Sequence, residues 1–403
     1  MISAERIAEI ESLLGGGNYG AAIHVLQELL AADPGDPLLL NKLAHAHLRK
    51  GELRQANKCF YAAGSALEGA LIPIYSGRAE VETRLEHGVE AAFWARKAIA
   101  LRHQQTMQRS SLFRQPVWKA SKSIGKPLIS FSLYGKNPLY GEGAVLNAEL
   151  AAQYFPQFIC RIYHDDSVAK GVLKLLRNRG CQTVRVTSEQ ERWHPTMWRF
   201  LALEDEEVPV VLLRDADSPL GERERRMVTR WLESDFDFHV IRDWYSHTPL
   251  ILAGLFGRKG GFFQNLSDSV AGYLEKKGSR WGVDQEFLGD VIWPLLQGDL
   301  LIHDPPHRES GDPCDSGLGA AKHVNQHVGC SFPLQTLSSD LSYEEGTDVQ
   351  WSLSEGDHHD GEGERLYPPI ADDEGMMAIR LPLMLVQKIQ SHQVRLSLNR
   401  SKP

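Results

Sequence analysis

Asp215 and Asp217 stand at the end of an apolar run, Val208-Pro-Val-Val-Leu-Leu-Arg-Asp-Ala-Asp-Ser218. The run predicts a buried strand, and in extended backbone side chains two apart point the same way, so the two carboxylates share a face. Two hard oxygen ligands at a strand's exit suit a divalent cation that also touches a phosphate. A helix is predicted to follow directly, with Ser218 as N-cap, Pro219 at its first position and Met227, Val228, Trp231 and Leu232 on one apolar face. The competing reading of an acidic pair is a solvated turn. A charged pair just past an apolar run costs desolvation unless something compensates it, which favours the cation.

Further residues fall where chemistry is convenient. Asp284 and Glu286 open a short predicted helix, Gln285 to Trp293, after a turn at Gly282. A carboxylate there can act as general base toward a hydroxyl, or Asp284 can simply cap the helix. Asp243 and His247 follow another strand and suit either an acceptor contact or a surface loop. Tyr134 can stack on a nucleobase or fill the core.

The elements that must position these residues alternate. Ile129 to Tyr134 reads as a strand ending at Gly135, Ala144 to Tyr154 as a helix, and Phe158 to Tyr163 as a strand ending in His164-Asp165-Asp166. A helix over Val168 to Arg179, a strand over Gln182 to Val186 and a helix over Pro195 to Leu203 lead into the Asp-x-Asp strand. A helix over 221–234 and a strand over Phe238 to Ile241 follow. Such alternation predicts a mostly parallel sheet covered by helices, with ligands at the carboxyl ends of its strands. Gly135, Asp165 and Asp217 all fall at such ends.

Residues 1–105 read differently. Ala22, Ala56 and Ala91 recur at spacings of 34 and 35, each followed by an apolar helical face, with Gly17, Gly51 and Gly88 before the helices. A period near 34 in helix-turn-helix units is the tetratricopeptide signature. Leu43-Ala-His-Ala-His-Leu-Arg-Lys-Gly51 matches the first helix of such a repeat, with His47 where an aromatic usually stands. These helices need neighbours to bury their faces, so they either extend the next domain or bind a protein partner. Residues 106–126 read as a polar linker, 127–333 as the α/β domain, 334–375 as an acidic, disordered or loosely held segment, and 376–403 as an amphipathic tail, a helix interrupted by Pro382 that docks on the protein in preference to a membrane surface.

With 403 residues, 42% apolar and 24% charged, the chain is an ordinary globular composition with room for two or three domains. Its net charge is −8. Between Asp340 and Glu374 twelve acids face one base, Arg365, so that segment carries −11 and leaves about +3 elsewhere. No basic surface on the scale of nucleic-acid binding results. No run of about 18 apolar residues exists to span a membrane, and the N-terminus does not read as a signal peptide. Five scattered cysteines suit reduced thiols in a cytoplasmic protein, peripheral at an inner membrane at most, through the tail. His303, His307, Cys314, His323, His327 and Cys330 form a His/Cys-rich stretch whose spacings match no strong zinc pattern.

Five segments together carry a family resemblance. Ile129-Ser-Phe-Ser-Leu-Tyr-Gly135, Met197-Trp-Arg-Phe200, Arg214-Asp-Ala-Asp-Ser218, Phe238-His-Val-Ile-Arg-Asp243 and Trp281-Gly-Val-Asp-Gln-Glu-Phe-Leu288 resemble bacterial glycosyltransferases of the GT-A fold with attached tetratricopeptide repeats. The likeness spans about residues 127–305. It implies a Rossmann-type nucleotide-sugar transferase domain preceded by a tetratricopeptide-like solenoid. It also implies Mn²⁺ or Mg²⁺ on Asp215 and Asp217, holding the diphosphate of a nucleotide-sugar donor. A third ligand is implied further along, with His303 the first choice and His327 the second. Arg199 and Arg214 are the candidates to reinforce the metal against the departing diphosphate's charge. Asp284, Glu286 and Asp243 are the catalytic candidates, and Tyr134, Gly135 and Asp165 the donor contacts. The acceptor is a glycan, lipid or protein that the sequence does not name. Two other classes compete: a haloacid-dehalogenase-type phosphatase, whose Asp-x-Asp normally opens the domain rather than following three β-α units, and a non-enzymatic scaffold built on the repeats.

Overall fold

The computed structural model describes residues 4–65, 71–307, 318–355 and 364–400. It divides into a helical unit (Met1–Arg109, Arg242–Leu250 and Asp304–Asp315) and a sheet-bearing unit (Ser110–Ile241, Ile251–His303 and Ser316–Pro403).

The helical unit contains α1 (Ala4–Gly15), α2 (Tyr19–Ala32), α3 (Pro37–Lys50), α4 (Leu53–Ala62), α5 (Leu71–Arg84) and α6 (Gly88–Arg109). Local chemistry sets the boundaries. Asp36 caps α3, its Oδ1 accepting from the Leu38 and Leu39 amides at 2.8 and 3.1 Å, with Pro37 at the first position. Gly51 ends α3 at φ 84°, a left-handed conformation that costs glycine little. The three alanines of the repeat pattern are wholly buried, because larger residues would hold the helices apart. Gly77 serves the same purpose: a Cβ there would collide with the Phe60 ring. His47, in the aromatic position, is also buried and hydrogen-bonds Glu52 at 2.5 Å.

The sheet-bearing unit follows the chain as β1 (Val117–Ala120), β2 (Leu128–Leu133), α7 (Pro138–Tyr154), β3 (Ile159–His164), α8 (Lys170–Asn178), β4 (Gln182–Arg185), β5 (Val210–Leu213), α9 (Glu222–Leu232), β6 (Phe238–Ile241), β7 (Phe256–Lys259), β8 (Gly261–Gln264), α10 (Leu266–Lys277), α11 (Val283–Phe287) and β9 (Leu300–His303). The main sheet has the order β4-β3-β2-β5-β7-β6-β9. Strand β7 runs antiparallel to both neighbours, and the other pairings are parallel. Register carries Leu133 opposite His164, and the Arg214 amide donates to the Ser130 carbonyl at 3.0 Å. The loops after β2, β3 and β5 therefore leave from one edge of the sheet, as the alternating pattern predicted. Its core joins Ile129, Phe131, Leu133, Ile162 and Leu212 to Val145, Ala148, Leu176, Val228 and Trp231 of the covering helices.

Three expectations need correction. The acidic segment, expected to be disordered, contributes four strands, β10 (Leu334–Ser342), β11 (Val349–Glu355), β12 (Arg365–Tyr367) and β13 (Ile370–Ala371), joined by turns. Residues 356–363 lie outside the described residues. The tail, expected as an amphipathic stretch interrupted by Pro382, is β14 (Met376–Pro382), α12 (Leu383–Gln390) and β15 (Val394–Arg400). Two three-stranded sheets result, β10-β14-β13 and β12-β11-β15. Trp351, Leu353, Tyr367, Ile379, Leu381, Leu385 and Val394 bury one another against Leu146 of α7, so the tail's apolar face is spent inside the protein rather than at a membrane. The acids that suggested disorder mostly occupy the turns: Glu344, Glu345, Asp348, Asp373 and Glu374 are exposed. Third, the predicted helix over 285–293 is α11 followed by a π-helical turn at Leu288–Ile292 and a 3-10 turn at Trp293–Leu296. No described helix is long and apolar enough to cross a membrane.

Candidate active site

The chain leaves β5 through Arg214 and turns at Asp215-Ala216-Asp217-Ser218. Asn147, wholly buried on α7, grips this turn: its Nδ2 donates to the carbonyls of Ala216 (3.1 Å) and Ser218 (2.9 Å), and its Oδ1 accepts from the Leu220 amide (3.0 Å). Two glycines allow close approach. A Cβ on Gly143 would strike the Ala216 carbonyl, and one on Gly254 would strike the Asp215 carboxylate. Asp217 is further tied to the segment before β10, its carbonyl accepting from the Phe332 amide (2.8 Å) and its Oδ2 from the Ser331 hydroxyl (3.1 Å).

Arg199 is the centre of the charge arrangement. It lies on a 3-10 helix over Pro195–Glu204, and two serines of β2 fix its backbone. Ser130 donates to its carbonyl at 2.8 Å, and its amide donates to Ser132 Oγ at 2.9 Å. Both serines face the same side because the strand period is two. The buried guanidinium forms an ion pair with Asp215 through Nη1 and with Asp284 through Nη2, the latter at 2.8 Å. Burial alone would lower its pKa, but Asp215 and Asp284 outweigh it and the guanidinium is held above its ordinary value.

The negative charge here exceeds the positive. Burial first, and then the neighbouring Asp215, push the Asp217 carboxyl above the usual carboxylate range. Tyr140, on the first turn of α7, is raised by burial and then by Asp217 and Asp215. Tyr134 is raised by burial and then by Tyr140, and packs edge-on to Trp198 with centroids 6.0 Å apart. Burial lowers His194, while Asp284 opposes the shift.

The structure thus gathers Asp215, Asp217, Arg199, Asp284 and Tyr134 of the residues singled out from sequence. Gly135 and Asp165 are joined one loop away: Gly135 N donates to Ser167 Oγ at 2.6 Å, and Asp165 Oδ1 accepts from the Ser167 amide at 3.0 Å and from its hydroxyl. Glu286 turns to an exposed pairing with Arg280, at 2.7 Å. Asp243 belongs to the helical unit, where its amide donates to His247 Nδ1 at 3.1 Å.

Two expected roles do not hold. Arg214, expected near a phosphate, points into the protein, where its Nε pairs with buried Glu224 and its Nη1 donates to the Leu213 carbonyl at 2.6 Å. Alternation explains this, since the residue preceding Asp215 projects to the opposite side. His303, expected as third metal ligand, sits on edge strand β9, 2.7 Å from His239 Nε2 in the core, where His239 stacks on Trp231. His327 hydrogen-bonds the Val328 carbonyl at 3.0 Å. Among the described residues no three His, Cys, Asp or Glu side chains group as a metal site, and Cys314 lies outside them.

Sequence reading overlooked Asn147, Tyr140, His194, Ser331 and the Ser130/Ser132 pair. Only the last had a local signal, two hydroxyls alternating with apolar residues in Ile129-Ser-Phe-Ser-Leu133.

The chain has recognisable relatives in part. Residues 13–63 match the tetratricopeptide repeat model. No curated protein sequence matches the chain. Among solved structures, a mutant of the Thermobaculum terrenum O-GlcNAc transferase is similar at 15% identity, covering 53% of this chain and 51% of that one, with TM-score 0.29. The mannosyltransferase PcManGT from Pyrobaculum calidifontis, solved with GDP-Man and Mn²⁺, is similar at 12% identity, covering 58% and 70%, with TM-score 0.29. The chain therefore spans about half the length of the first of these. A helical region containing tetratricopeptide repeats, followed by a mixed α/β region, is the architecture.

Proposed function

We propose that the sheet-bearing unit is a metal-dependent glycosyltransferase, moving a sugar from a nucleotide-diphosphate donor to a nucleophile. The observation that carries this reading is the surplus of negative charge at the carboxyl edge of the sheet. Arg199 pairs with Asp215 and Asp284, so one positive charge stands among three carboxylates, and burial and then the neighbouring Asp215 raise the pKa of Asp217. A hard divalent cation fits that deficit. Mg²⁺ or Mn²⁺ is commonly held by one or two protein carboxylates, with substrate phosphates completing the shell.

In this reading Asp215 and Asp217 hold the ion, and Asn147, Gly143 and Gly254 fix their turn. Bound there, the metal would stabilise charge on the departing diphosphate. Arg199 adds a fixed positive charge and orients Asp284, which is the candidate to accept the acceptor's proton. Tyr134 and Tyr140 offer aromatic faces beside the carboxylates. The repeats supply a surface for a protein partner.

The test is thermal stability in the presence of UDP, GDP, CMP and their sugars, with and without Mn²⁺, on wild type and Asp217→Ala. A nucleotide at 100 times its Kd is expected to stabilise by about 2.7 kcal/mol. Metal-dependent stabilisation that the substitution abolishes supports the reading; no response to any nucleotide refutes it.

A further inference from the structure

A cavity of about 490 Å³ opens beside the candidate site, between the loop entering α7 and the C-terminal sheets. Its walls combine Leu139, Leu334, Pro368, Ile370 and Ile379 with the side chains of Lys136 and Arg380. That volume falls within the range typical of small-molecule sites, about 300–1,000 Å³. The charges are one-sided: the lining has two cations and no carboxylate. Neither Lys136 nor Arg380 forms an ion pair among the described residues; Arg380 donates only a 3.4 Å bond from Nε to Thr336 Oγ1. Both are exposed, so their charged ends stay hydrated at the cavity while the wall behind them is apolar. An apolar chamber whose charged lining groups are both cations, beside Asn137, complements an amphipathic anion, the chain in the cavity and the head on the cations.

We propose that this cavity binds a soluble amphipathic anion: a short alkyl or isoprenoid chain bearing a phosphate or carboxylate. The cavity shares its α7 entry with the candidate active site, since Leu139 lines it and Tyr140, the next residue, faces the Asp215/Asp217 pair. The proposal does not depend on the transferase reading, because no residue of the carboxylate site lines the cavity.

Octyl phosphate, below its micelle concentration, is the probe, measured by calorimetry against octanol and inorganic phosphate. The full chain is used as wild type, Lys136→Glu/Arg380→Glu and Ile370→Asp. Octyl phosphate is expected to bind at least tenfold more tightly than either control, and to lose at least tenfold in both variants. The second variant places a carboxylate on the exposed wall, so loss there does not depend on the two cations. Circular dichroism and an unchanged urea-unfolding midpoint show that the variants remain folded. Octanol binding equally well would overturn the anion specificity. Binding unaffected by either variant, or attachment to phosphatidate vesicles without monomer binding, would overturn the site itself.

Discussion

Two arginine networks in the sheet-bearing unit show how differently the same groups can be used. Arg365 of β12 is wholly buried with Glu142 of α7, its Nε 2.6 Å from Glu142 Oε1, which also accepts the Tyr367 hydroxyl at 2.6 Å. Arg365 also lies 4.0 Å from the partly exposed Glu355, which pairs with Arg179, and Arg179 and Lys388 both pair with Glu149, so three acids meet three bases. Arg199 is equally buried, but it serves Asp215 and Asp284, and the Asp215 side chain remains 47% exposed. Asp217 adds a further negative charge, and among the described residues no ion pair brings it a second cation. The first network is balanced in charge, and ties the C-terminal sheets to α7. The second is open and over-supplied with negative charge, which is the condition under which a cation from solution is useful.

Breaking either network should be costly. Arg365→Met leaves Glu142 buried and uncompensated, and urea unfolding should show a loss of about 3–5 kcal/mol. Arg199→Met should lose a similar amount, about 3–5 kcal/mol, because Asp284 is buried too. The contrast lies in ligand response: nucleotide- and Mn²⁺-dependent stabilisation should survive in the first variant and vanish in the second. Survival in both would mean that Arg199 is as purely structural as Arg365.

Asn147→Ala removes the grip on the carboxylate turn and leaves two carbonyls and an amide to be satisfied otherwise. Each buried group left unpaired costs about 1–3 kcal/mol; with water satisfying all but one of the three, a loss of about 2 kcal/mol is expected. Mn²⁺ affinity should fall by about tenfold, in the range seen when groups supporting metal ligands are lost. Unchanged Mn²⁺ affinity would separate the turn's geometry from its ligand role.

Asp217→Asn should act through pH. The folded-state pKa of Asp217 is raised, so the native protein binds this proton more tightly than the unfolded chain does. Its ionised form therefore costs stability at neutral pH, and that cost is relieved as pH falls through the raised value. In metal-free buffer the variant should be more stable than wild type at neutral pH, with the gap closing on acidification. A wild type that loses ground to the variant on acidification would show that Asp217 is already compensated. The smallest effect is expected at Glu286→Ala, whose pairing with Arg280 is exposed on both sides; about 0.5 kcal/mol or less should be lost.

The legible part of the site was the part written in local sequence. An apolar run ending in Asp-x-Asp, and a carboxylate placed after a Gly turn, located Asp215, Asp217 and Asp284 because strand and helix periods project directly onto side-chain direction. Arg199 was found by resemblance. Its meaning, a bridge between two carboxylates 16 and 85 positions away, is a contact between elements. His303 failed as a ligand for the same reason in reverse, since a histidine after a strand carries no mark of which strand will lie beside it. Strand β9 paired with β6 at the edge of the sheet, and His303 joined His239 in the core.

By itself the sequence determined the two kinds of architecture, the capped helices with their buried alanines, and the order of strands and helices that brings Gly135, Asp165 and Asp217 to one edge. Those depend on residue spacing and on caps within a few positions. Only the tertiary structure decided that an acid-rich stretch would fold into sheets over α7, that Arg214 would turn inward to Glu224, and that Asn147 would hold the carboxylate turn. Each of these is fixed by partners far apart in the chain, where burial makes a hydrogen bond or counter-charge obligatory but the sequence does not say which residue will supply it.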